Sequence, residues 1–128
     1  QQRMRERLSR IDEVARRENS KLLLLMIPAP VQVCSAAQLK YYPRHVDLHD
    51  TQRFEIDRPQ RLLSTMAAQL HIPTQDLRST LNQATACPYQ PSNLHWTAAG
   101  HEMVAATVAH VLLDQGFVDR SAPGSSNG

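Results

Sequence analysis

A short apolar run, Lys21-Leu22-Leu23-Leu24-Leu25-Met26-Ile27, stopped at once by Pro28-Ala29-Pro30, constrains the fold more than any other feature of this chain. The run is strand-sized and does not alternate between polar and apolar residues. That is the pattern of a strand buried on both faces of a parallel sheet. Proline has no N–H to give a sheet ladder, so the chain leaves the sheet at Pro28. In open α/β sheets, the carboxyl ends of such strands are where ligands bind. Just upstream, Met4, Leu8, Ile11 and Val14/Ala15 recur at steps of three or four, one face of an amphipathic helix that Asn19-Ser20 breaks. A helix followed by a buried strand is half of a right-handed βαβ crossover, whose other strand would lie before Gln1.

Downstream, Val31 to Tyr42 is read as a short helix and Pro43 to Arg58 as a long, polar, His/Asp-rich surface loop. Pro59 suits the first turn of a helix, and Leu62, Leu63, Met66, Ala67 and Leu70 carry that helix to about His71. Ile72 to Leu77 is expected to hold a short strand ending at Asp76, whose carboxylate is better suited to capping the next turn than to chemistry. A brief helix from about Arg78 to Ala84 and a proline-punctuated loop follow. The last helix runs from Ala98 to about Gln115, with Met103, Val104, Val108, Val111 and Leu112 on one face and Gly116 as its C-cap. Residues 1–118 read as one partial α/β domain. Ser121 to Gly128 is too small and polar to pack, so 119–128 is expected to be a disordered tail. Two strands rarely make a sheet that is stable alone.

Composition excludes several function classes. Hydrophobic residues make up 41% and charged residues 20% of the 128, which describes a globular chain with a modest core. A net charge of +2 is too small to argue for a nucleic-acid partner. The arginines from Arg3 to Arg17 interleave with Glu6, Asp12, Glu13 and Glu18, a solvated helix face rather than a phosphate-binding patch. No run reaches the ~18–20 apolar residues of a membrane span, and no secretory signal opens the chain. The missing initiator Met points to a processed, trimmed or excerpted chain. Cys34 and Cys87 could form one disulfide in an oxidising compartment or stay reduced, and the balance falls slightly toward two independent thiols. The compartment stays open, the extracytoplasmic one included.

The chemistry concentrates in Asn93-Leu94-His95-Trp96-Thr97-Ala98-Ala99-Gly100-His101, which sets a histidine on a short loop just before a long helix. A histidine titrates near neutrality, and a loop held by a rigid element presents it to substrate. Trp96 could wall one side of that imidazole. Gly100 would let the helix approach the sheet closely, and His101 would pack or hydrogen-bond at the helix start. The His45-Val-Asp-Leu-His49-Asp50 cluster has two His at i and i+4, but it lies in loop and lacks a third spaced ligand set. It reads as surface or a substrate-facing lid rather than a metal site.

The block from Asn93 to His101 resembles the last conserved block of the SGNH (GDSL-type) hydrolases, Asp-x-His-Trp-Asn/Thr-x-x-Gly-His. The resemblance implies an α/β fold, the C-terminal part of a flavodoxin-like three-layer α/β/α sandwich with a parallel sheet. It implies serine-dependent hydrolysis or transfer of an acyl, often acetyl, group on a small ester or acylated carbohydrate. His95 would be the general base and needs no cofactor or metal. The chain departs from the pattern where the family usually places an Asp two or three residues before the His: here stand Asn93 and Ser92. By that alignment Asn93, or less favourably Ser92, would orient the imidazole as a neutral acceptor. The family's Gly-Asp-Ser, oxyanion-hole glycines and Gly-x-Asn-Asp are absent, so the nucleophile is expected upstream of Gln1, in a missing N-terminal half. This chain alone should then have negligible esterase activity. The competing reading is a scaffold or binding domain that has lost its triad.

Overall fold

The computed structural model describes residues 2–43, 45–48 and 50–118. The tail expected at 119–128 and His49 of the His/Asp-rich loop therefore lie outside the described residues. The order of elements is α1 (Gln2–Arg17), β1 (Leu24–Met26), α2 (Arg58–Gln69), β2 (Thr74–Asp76), α3 (Arg78–Leu81) and α4 (Ala98–Asp114). Two 3-10 turns, Pro30–Gln32 and Ala36–Gln38, follow β1. They replace the helix expected across Val31–Tyr42. The prolines and Ser35 break that stretch into single turns instead of allowing one continuous ladder of i→i−4 bonds.

β1 and β2 pair in parallel, in register Leu24↔Thr74, Leu25↔Gln75 and Met26↔Asp76. A parallel pair cannot be closed by a tight turn. Here the long loop and α2 make the crossover, and α2 packs back on both strands. The result is an α/β arrangement of helices around a small parallel sheet. The expectation that Leu22–Ile27 is buried on both faces holds only at Met26; its neighbours from Leu22 to Leu25 are half-buried, and Ile27 is 59% exposed. A sheet of two strands, as found among the described residues, leaves each strand an open edge.

Two apolar clusters hold the elements. In one, Leu8 of α1 meets Ala67 and Ile72, with Leu22, Leu24, Leu63, Met66 and Leu70 packed around them. The other joins Cys34, Leu39, Leu77, Leu81, Tyr89 and Val104, drawn from the strand-end loops, α3 and α4. Only Leu8 of the α1 stripe is buried; Met4, Ile11 and Val14 are each about half exposed.

The three long helices end in the same way. Asn19, His71 and Gly116 have φ of 51°, 57° and 65°. At each end the residue with positive φ bonds back three residues, and its successor bonds back five: Ser20 N–H to Ala15 O, Ile72 N–H to Ala67 O, and Phe117 N–H to Leu112 O. This double bond pattern satisfies carbonyls that have no partner within the helix.

Candidate functional site

The loop that carries His95 is built as a small hairpin. Tyr89 and Trp96 form an antiparallel bridge. Gln90 N–H donates to His95 O at 2.8 Å, and Thr97 N–H donates to Pro88 O at 2.8 Å. Neighbouring residues on a bridge point to opposite sides, so His95 is exposed while Trp96 turns inward against the core. Sequence placed Trp96 as a wall beside the His95 imidazole; the ring instead faces the core. It packs on Tyr89 at 6.3 Å and edge-on to His101 at 5.3 Å.

Side chains and prolines fasten the hairpin to the carboxyl end of the sheet. The Tyr89 hydroxyl donates to Pro28 O at 2.5 Å, just beyond β1. Lys40 N–H donates to Pro91 O at 2.7 Å. The Thr97 side chain donates to Pro88 O at 3.2 Å and accepts from Gly100 N–H at 3.1 Å, which makes it the N-cap of α4. Proline can only accept, so Pro28, Pro88 and Pro91 offer carbonyls on backbone whose φ is already fixed. Cys34 and Cys87 are joined by a disulfide, with Cα atoms 5.2 Å apart. This corrects the reading of two independent thiols. Spacing along the chain does not reveal that the loop after β1 and the loop after α3 converge at the same sheet end.

Gly100 also differs from its expected role. A Cβ there would be driven into the Pro88 carbonyl oxygen and sit 3.1 Å from Trp96 Cβ. The close approach it permits is to the hairpin, not to the sheet. At the far end of the molecule, Lys21 donates to the Gly116 carbonyl and lies 6.0 Å from the Phe117 ring centre. α4 thus runs from the strands' carboxyl ends back toward their beginnings, with His95 beside its first turn.

Asn93 Oδ1 accepts the backbone N–H of His95 at 2.9 Å. Among the described residues no hydrogen bond joins the His95 imidazole to Asn93 or to Ser92. Asn93 thus acts on the main chain of His95, shaping the turn that exposes the ring. Asp76 caps the turn after β2 through Arg78 N–H at 3.0 Å, as expected, and also binds the Arg78 guanidinium at 2.9 and 2.6 Å. Arg78 reaches Asp57 as well, and its side-chain bond to Asp76 above all holds it more firmly protonated than a free arginine. No group of three His, Cys, Asp or Glu among the described residues is placed to hold a metal ion. His45, Asp47 and Asp50 lie in turns and irregular chain rather than in a helix.

Sequence reasoning missed Tyr89. Burial pushes its phenol above the ordinary tyrosine value. The Trp96 indole N–H is itself buried without a hydrogen-bond partner among the described residues. An aromatic between two prolines and two residues after a cysteine, Cys87-Pro88-Tyr89-Gln90-Pro91, was the available signal. Thr97 just before the last helix is a legible N-cap.

A family model described as the SGNH hydrolase-like domain of the acetyltransferase AlgX matches residues 1–125. No curated protein and no solved structure gives a significant match.

Proposed function

Because the chain belongs to the SGNH hydrolase-like domain family of the acetyltransferase AlgX, we propose that it carries the histidine side of an acyl-transfer site. The observation that supports this best is the His95 hairpin, an exposed imidazole on a braced loop beyond the strand ends. His95 is the general base. It takes the proton of a serine hydroxyl as that oxygen attacks the acyl carbonyl, then returns the proton to the departing alcohol. Asn93 is the positioning residue, acting through the His95 main chain, with Ser92 the less favoured candidate. The serine and the oxyanion donors come from sequence outside Gln1–Gly128. The open edge of β1 and the apolar stripe of α1 are where the rest of that domain would pack. The substrate is a small ester or an acylated carbohydrate.

A second reading, a scaffold that binds without catalysing, draws support from Asn93. Its oxygen is committed to backbone, and it offers no negative charge to stabilise an imidazolium.

Fluorophosphonate labelling, which requires an activated serine, separates the two. The 128-residue chain should stay unlabelled and hydrolyse p-nitrophenyl acetate at the buffer rate. The intact protein should be labelled, and His95→Ala should slow it by about 10²–10⁴-fold. An intact protein that takes no label favours the scaffold.

A further inference from the structure

We propose that the Cys34–Cys87 disulfide is a redox-sensitive lock on the His95 hairpin, opened when an external dithiol reduces it. The idea rests on His95 as the working residue of the site, but its geometry stands independently. Cys34 lies between the two 3-10 turns that follow β1, and Cys87 is the residue directly before the hairpin stem at Pro88. Apart from the disulfide and the packing of Tyr89 and Trp96 on the cluster of Cys34 and Leu39, two hydrogen bonds among the described residues tie the hairpin to that strand-end loop: Tyr89 to Pro28 and Lys40 to Pro91. Individual hydrogen bonds of this kind contribute modestly because water competes for both partners. The approach from α3, residues 82–86, is largely exposed and irregular, so it cannot brace the stem. The cluster around Leu8, Ala67 and Ile72 includes neither cysteine. It should outlast the bond.

The two sulfurs differ in access. Cys34 is 7% exposed, whereas Cys87 is only partly buried and borders a cleft of about 370 Å³ formed with Gln83–Pro88, Thr97, Ala99 and Met103. A thiolate of the dithiol attacks Cys87 Sγ, the bond to Cys34 breaks, and Cys34 leaves as a thiolate that takes a proton. The second thiol of the reagent then attacks the mixed disulfide. This frees Cys87 and closes the reagent's own disulfide, so the protein gains two electrons and two protons in all.

Hydrogen exchange read by mass spectrometry on the intact, folded protein tests this, using a brief deuterium pulse before and after dithiothreitol. Peptides covering residues 87–97 should exchange more than about tenfold faster once reduced, while those covering α2, β1 and β2 stay protected. The Cys34→Ser/Cys87→Ser double variant should show the same pattern without reductant. Unchanged hairpin exchange overturns the proposal, because the hydrogen bonds then suffice. Uniform loss across the sheet and α2 overturns it as well, because the bond would then staple the whole fold. Neither result depends on labelling or hydrolysis, so failure of the lock is distinct from failure of the catalytic reading.

Discussion

Gly100 and Tyr89 show how little side-chain material decides where His95 sits. Gly100→Ala places a methyl group against the Pro88 carbonyl, backbone that the Thr97 bonds hold in place. Overpacking of that kind costs about 1–3 kcal/mol, and a thermal melt should show the loss. Tyr89→Phe removes the only described partner of the Pro28 carbonyl, beside a proline side chain that is fully buried. An orphaned buried acceptor costs about 1–3 kcal/mol. The phenol also gives a pH signature. Because burial raises its folded pKa, the unfolded chain ionises first, near a pH of about 10, and native stability then falls as pH rises through the folded value. Denaturation at pH 7 and at pH above 10 should show that alkaline loss in the parent protein and a smaller one in Tyr89→Phe. Gly100's close approach was legible but not its partner, and Tyr89's bond not at all, since both depend on which carbonyl lies opposite, a fact of tertiary placement.

At the level of elements, helix ends were the most readable part of the chain. Gly116 announced its C-cap, and Asn19 marked a break, because glycine and asparagine tolerate the left-handed backbone that such ends require. His71 gave no such sign. It adopts φ of 57° because Ile72 must turn back to pack on Ala67, and tertiary packing overrides the residue's own preference. His71→Gly should therefore stabilise the protein by about 0.5–1 kcal/mol, read as a higher urea midpoint with an unchanged slope. The strands were legible from Leu22–Ile27 and Ile72–Leu77 but came out shorter, at three residues each. An apolar run marks what is to be buried, whereas strand length depends on a neighbour to bond with.

Across the whole molecule, the disulfide closes a sequence separation of 53 residues. Its presence fits an oxidising compartment. Two cysteines in an otherwise ordinary composition could not announce it. The molecule also leaves apolar side chains in solvent: Met4, Ile11 and Val14 on α1, with Ile27 beyond β1. Exposed patches of this kind promote association. The 128-residue chain is expected to self-associate in sedimentation, and Ile11→Glu to reduce that without lowering its melting temperature.

The hairpin is closed on itself by main chain, Thr97 to Pro88 and Gln90 to His95, and is tied to the strand-end loop through the Pro91 and Pro28 carbonyls and the Cys34–Cys87 bond. Nothing in that scheme uses the side chains of Ser92 or Leu94, and Leu94 is 66% exposed. The side chains of Ser92 and Leu94 beside the imidazole are therefore a cassette. Mutation can rewrite those two positions while Asn93 and the frame beneath keep the shape of the turn.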